Sequence, residues 1–188
     1  MLSGIVQNQI KKIESGFARP EGYPKTQIKK VGVIGAGLMG HGISLVSSFN
    51  GIEVILLDKT EELATYGLLK INKILKNKID RKEIFPNERE QILRLIYVTD
   101  DFSLLKDCDL IIEAVYEDEK LKSDIFKNFK KMIKDDAILS SNTSSIPISK
   151  LAKFSPYPEN FIGIHFFSPV HKMKLVEVII AKETSLQT

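Results

Sequence analysis

A single cysteine, no tryptophan and no apolar stretch long enough to span a membrane mark what this 188-residue sequence goes without. With only Cys108 an internal disulfide is excluded, and a chain that builds none suits a reducing, intracellular compartment. The surrounding "DCDLIIEA" reads as the entry to a buried strand, where a free thiol packs as a small apolar group. The opening "MLSGIVQNQIKKIE" lacks the basic start and unbroken apolar run of a secretory signal, so the expected location is the cytoplasm, with no membrane partner. Neither charge dominates. Lys and Arg number 27 against 24 Asp and Glu, a net charge of +3, and outside one local cluster the signs are interspersed, so nothing calls for nucleic acid. What is present, 43% hydrophobic and 27% charged residues, is enough for one good core and one domain, at most one and a fraction.

Along the chain, Ile5, Ile10 and Ile13 sit at loosely helical intervals before the Gly- and Pro-bearing "SGFARPEGYPKTQIKK". Residues 1–30 therefore read as a short helix and linker, with a folded domain over 31–188. Strand-like "VGVIG" is followed by a helical pattern over Met39–Phe49, strand-like "EVILLD", and a helix from Glu61 to about Lys78. "FPNEREQILRLI" reads as a helix with Pro86 in its first turn. "DLIIEAV" is a strand, Glu119–Met132 a helix and "AILSS" a strand. Such alternation predicts an α/β fold with parallel strands and crossover helices. The pattern then changes: after a short helix within Ile146–Phe154, "FIGIHFF" and "KLVEVII" follow each other as two late antiparallel strands.

"VGVIGAGLMGHG" sets Gly35, Gly37 and Gly40 in the spacing G-x-G-x-x-G, directly after a strand and at the head of a helix. The first glycine permits a tight turn, the second lets the backbone approach a pyrophosphate, and the third allows close helix-to-strand packing. Unpaired N–H groups at the helix start then face the phosphates. "EVILLD" ends in Asp58, near the distance at which an acid accepts the adenosine ribose hydroxyls and repels a 2′-phosphate, which favours NAD over NADP. His41, just after the loop, reads as an exposed first-turn residue without a role.

Four motifs, "GAGLMGHGI", "IEAVYEDEKLKSDIF", "SSNTSSIPIS" and "GIHFFSPVHKMKLVEVI", make residues 31 to about 181 resemble the NAD-dependent L-3-hydroxyacyl-CoA dehydrogenases of fatty-acid β-oxidation. Residues 1–30 look like the linker that precedes this domain in multifunctional β-oxidation subunits. The resemblance implies a Rossmann-like domain, NAD as cofactor and an acyl-CoA substrate. It implies His165 as the acid or base for the 3-hydroxyl, Glu177 as its partner, and Ser144 as a contact to the substrate oxygen. Leu38, Met39, Val115, Glu117, Lys122, Asn142 and Ser144 would join the three glycines and Asp58 along the cofactor. Ser168 stands where many members carry asparagine, and a serine can still make a polar contact there. None of these roles asks for a metal. The family's helical C-terminal domain, which supplies a further catalytic asparagine and usually the dimer contact, is expected to be absent from this chain. A homodimer, or association with that domain, is the expected assembly.

The chemistry of the residues agrees with that resemblance. Oxidising a secondary alcohol requires loss of the hydroxyl proton, which suits a histidine, and a carboxylate on its other ring nitrogen fixes the tautomer. If the late strands reverse near His171, positions 165 and 177 lie about equally far from the reversal and face each other. Lys70, Lys73, Lys76, Lys78, Arg81 and Lys82 crowd one helical region, either as a guide for coenzyme A phosphates or as a solvated face. If the cluster steers, charge reversal at Lys73 and Lys76 raises the acyl-CoA KM at low salt. Three readings follow: a 3-hydroxyacyl-CoA dehydrogenase, a non-catalytic NAD-binding module, and a dehydrogenase of small hydroxy acids without coenzyme A.

Overall fold

The structure is a computed structural model and describes residue 8 and residues 11–12, 15–16, 19–23, 25–129 and 132–188. The helix expected within residues 1–15 lies for the most part outside the described residues. Among the described residues, seven strands form one sheet: β1 (Lys30–Ile34), β2 (Glu53–Leu57), β3 (Ile96–Thr99), β4 (Leu110–Glu113), β5 (Ile138–Ser141), β6 (Phe161–Phe166) and β7 (Val176–Ile180). Their order is β3-β2-β1-β4-β5-β6-β7, parallel through β6, with β7 antiparallel at the edge. Among the described residues from Lys30 onward, the α-helices are α1 (Leu38–Phe49), α2 (Glu61–Asp80), α3 (Pro86–Arg94), α4 (Glu119–Lys127) and α5 (Ile148–Ala152). Among the described residues, no helix is long and apolar enough to cross a membrane.

Strands buried on both faces need apolar residues at consecutive positions, which is why "VGVI" and "EVILL" read as runs and not as alternations. Val54 and Leu56 enter a core with Ile43, Leu45, Ile71 and Leu75, while Ile55 and Leu57 enter a second core with Leu105, Phe126, Leu139 and Phe161. In the second core Phe126 meets Phe161 edge-on, with ring centroids 4.8 Å apart. Burying a ring of this kind contributes about 1.5–3 kcal/mol. Cys108 is fully buried there, and desolvation above all pushes its thiol up to about 11, so it packs and does not react.

Local signals set the helix starts. Thr60 caps α2 by accepting from the Leu63 N–H, Asp118 caps α4 through Leu121, and Pro86 occupies the first turn of α3. Two elements depart from expectation. The helical reading of "QILRLI" runs through Ile96, but the helix stops at Arg94 and residues 96–99 pair with β2 as β3. Ile92, Leu93 and Ile96 suit a helix locally; the open edge of β2 decides otherwise. Likewise α4 ends at Lys127, short of Met132, because Asn128 bonds back to the Asp124 carbonyl and Phe129 turns into the core.

Candidate active site

Parallel strands deliver their carboxyl ends to one rim of the sheet, so the register decides what meets there. Ile34 stands beside Glu113, Glu113 beside Ser141, and Ser141 beside Gly163. The strand order reverses direction between β1 and β4, and in such sheets a dinucleotide lies across that switch point.

The glycine loop lies on this rim. Gly35 has φ +97°, and a Cβ on Gly40 would stand 1.6 Å from the Gly35 carbonyl oxygen, so neither position tolerates a side chain. A Cβ on Gly37 would meet nothing within 4 Å, and Gly37 offers no side chain to cap α1. That open, uncapped helix start fits a pyrophosphate. Leu38 projects into solvent, whereas Met39 packs on the core below. Asp58, at the end of β2, accepts the Ala36 N–H at 2.6 Å and so ties the acid to the loop. Replacing Gly37 with valine is expected to leave thermal stability nearly unchanged while weakening NADH binding by roughly 30-fold or more, the loss of a close backbone approach. Fluorescence titration and a melting curve check the two halves.

His41 is not exposed, contrary to expectation. It is 7% exposed and its Nδ1 bonds the Gly37 carbonyl at 2.5 Å. The cause is tertiary: the β6–β7 connection covers α1, bringing Val170 to within 2.9 Å of a Cβ built on Gly42. Desolvation, more than the nearby Lys70 charge, lowers the His41 pKa, and the bond to the Gly37 carbonyl opposes the shift.

Across the switch point lies a buried charge cluster. Glu113 is fully buried and Lys122 is 1% exposed. Glu113 Oε1 takes the Lys122 Nζ at 2.6 Å and the Val115 N–H at 2.8 Å, and its Oε2 takes the Ser141 hydroxyl at 2.6 Å. Lys122 also lies 3.2 Å from Glu117 Oε2. Glu117 Oε1 accepts from the Thr143 and Ser145 hydroxyls and from the N–H groups of Ser144 and Ser145. Desolvation alone would raise the Glu117 pKa, but those hydroxyl bonds and the Lys122 charge outweigh it and hold the value at about 2. Glu117 thus fastens the Asn142–Ser145 turn to the loop after β4. Sequence reasoning missed Glu113, Ser141, Thr143 and Ser145; an acid closing the apolar strand "LIIE" was the available signal.

At the far end of the rim, His165 and Glu177 are register partners in β6 and β7, with Nδ1 2.8 Å from Oε2. The His165 side chain is 20% exposed and the Glu177 side chain 54%, so the pair opens to solvent. Asn142 Oδ1 accepts the Phe166 N–H at 2.9 Å, which docks the β5 turn beside His165. Ser144 and Ser168 are both exposed. Of the two late strands, β6 is buried at its start, while every residue of β7 is exposed because β7 pairs on one side only.

A reversing parallel sheet, a glycine loop opening α1 and an acid closing β2 define a Rossmann-type dinucleotide-binding domain. The chain belongs to the family described as 3-hydroxyacyl-CoA dehydrogenase, NAD binding domain, which matches residues 30–188. It is 43% identical over 159 residues to a probable 3-hydroxybutyryl-CoA dehydrogenase of Deinococcus radiodurans, covering 85% of this chain and 57% of that protein. It is 41% identical over 162 residues to a fatty acid oxidation complex subunit alpha of Idiomarina loihiensis, covering 86% of this chain and 23% of the relative. The solved (S)-3-hydroxybutyryl-CoA dehydrogenase of Ralstonia eutropha superposes with a TM-score of 0.82 at 34% identity, over 85% of this chain and 56% of that one. The chain therefore spans little more than half, or about a quarter, of the lengths of these proteins.

Proposed function

We propose that this chain forms the cofactor-binding and proton-handling part of a cytoplasmic enzyme of fatty-acid β-oxidation. The reaction is (S)-3-hydroxyacyl-CoA + NAD⁺ to 3-oxoacyl-CoA + NADH + H⁺. The observation that carries this reading is the His165–Glu177 pair, set at the carboxyl rim beside the Asn142–Ser145 turn. Bound NAD⁺ supplies the hydride acceptor. Glu177 holds the His165 Nδ1 hydrogen, which leaves Nε2 to take the proton of the 3-hydroxyl, and Ser144 donates to the substrate oxygen. Gly35, Gly37 and Gly40, with Leu38 and Met39 at the start of α1, hold the pyrophosphate, and Asp58 lies on the adenosine side. Val115, Glu117, Asn142 and Ser168 lie along the nicotinamide half. Lys122, being buried, acts on that half through Glu117.

The coenzyme A reading is supported by a cavity of about 220 Å³ lined by Lys78, Arg81, His171 and Lys172 together with Ile74, Asn77 and Glu83. Lys78, Arg81 and Lys172 are the cations around this hollow, with Lys78 also paired to Glu83 at 2.7 Å, while burial and the neighbouring lysines lower the His171 pKa; three cations against one carboxylate suit phosphates. The predicted steering residues Lys73 and Lys76 are exposed and do not line it. Reversing Lys78 and Arg81 to glutamate is therefore expected to raise the acyl-CoA KM about tenfold at low ionic strength and far less at 1 M salt, where screening acts within about 3 Å. Initial rates at the two salt concentrations measure this. Residues 1–30 are read as a linker, and the apolar edge presented by Leu175, Val178 and Ile180 suits a second copy of the chain or a helical domain of the kind the family carries.

The test is NADH titration of the chain followed by turnover with acetoacetyl-CoA and with free acetoacetate. Turnover of the thioester alone supports the proposal. NADH binding without turnover makes the isolated chain a non-catalytic module, and preference for free acetoacetate rules out the coenzyme A reading.

A further inference from the structure

Two carboxylates share one ammonium in the buried cluster, so it keeps a net negative charge. The sharing is unequal. Lys122 Nζ sits 2.6 Å from Glu113, which is fully buried, and 3.2 Å from Glu117, whose side chain is 35% exposed. Glu113 is held on the remaining sides by the Val115 N–H and the Ser141 hydroxyl, so it has no freedom to release the ammonium. The uncompensated charge thus stands on Glu117, at the rim. With Asp58 marking the adenosine half over β2, the nicotinamide half of a dinucleotide crossing the switch point lies over β4 and β5, where Glu117 joins the two loops. The oxidised nicotinamide ring is a cation and the reduced ring is neutral, so a carboxylate there acts on one form only.

On the reading of this chain as an NAD-binding domain, we propose that Glu113 is a positioning residue. By drawing Lys122 inward, it keeps Glu117 a net anion facing the nicotinamide, which favours the oxidised cofactor over the reduced one. Glu117 stays ionised well below neutral pH, its pKa being about 2 although desolvation opposes this, so the bias holds across the physiological range.

The test is the ratio of dissociation constants, Kd(NAD⁺)/Kd(NADH), measured calorimetrically on the chain at fixed salt. Glu113→Gln lets Lys122 neutralise Glu117, and the ratio is expected to rise about fivefold, the effect of one unit charge several ångströms from the ring at an intermediate dielectric constant. The double variant Glu113→Gln/Lys122→Met restores the net negative charge and should return the ratio to within about twofold of the unaltered chain. A purely structural role for Glu113 would lower the melting temperature and weaken both cofactor forms alike. A ratio unmoved in Glu113→Gln, or one that stays displaced in the double variant, overturns the inference. Should Glu113→Gln not fold, Glu117→Gln neutralises the same carboxylate directly and must raise the ratio. An unaltered chain that binds neither form overturns the dinucleotide reading itself, a distinct outcome.

Discussion

His165→Ala is expected to lower turnover by about 10³-fold in any assembly of this chain that oxidises a 3-hydroxyacyl-CoA, since a positioned acid or base contributes about 10²–10⁴. NADH affinity should stay within about threefold, because His165 stands at the far end of the rim from the glycine loop proposed to bind the pyrophosphate. The split between the two quantities is the informative part. Acetoacetyl-CoA-dependent NADH oxidation gives the first, and titration of the chain alone gives the second. A variant that kept most of its rate would take the proton-transfer role away from His165, and with it the reason for Glu177 at the paired position.

Lys122→Met is expected to be the most destabilising single change. It leaves Glu113 fully buried without its ammonium, and removing one partner of a buried pair costs about 3–5 kcal/mol. For a chain of this size that is a fall in melting temperature of about 10 °C or more. Two groups still bond to Glu113, the Val115 N–H and the Ser141 hydroxyl, and they soften the penalty without cancelling the charge. Calorimetric melting of the variant beside the unaltered chain measures it. A shift of only one or two degrees would mean that the Val115 and Ser141 bonds hold Glu113 without help from the ammonium. The same lysine in a solvated pair such as Lys127–Asp124 would matter little, since exposed pairs contribute about 0–1 kcal/mol.

The cofactor half of the site was legible because its logic is local. Gly35, Gly37, Gly40 and the start of α1 follow one another in the chain, and Asp58 closes the next strand, so one parallel β-α-β unit brings them together. The His165–Glu177 pairing was legible too, because equal distances from a reversal near His171 define a register; the pairs observed, from Ile162 with Ile180 to Phe166 with Val176, are centred there. The Glu113–Lys122–Glu117 cluster was not. Its donors come from α4, β5 and the following turn, separated by up to 28 positions from the carboxylates they bind, and a glutamate at a strand end looks like any solvated residue.

By itself, then, the sequence determined the α/β alternation, the glycine loop and the pairing of His165 with Glu177, since apolar runs, glycine spacing and distance from a reversal act over short stretches of chain. Tertiary structure alone decided the rest. It made residues 96–99 a strand by offering them the edge of β2, buried His41 beneath the β6–β7 connection, and left β7 exposed with a neighbour on one side only. It also gathered Lys78 and Arg81 with His171 and Lys172 around one hollow. Each of these depends on which element covers which, and burial and charge pairing arise from neighbours distant in the chain.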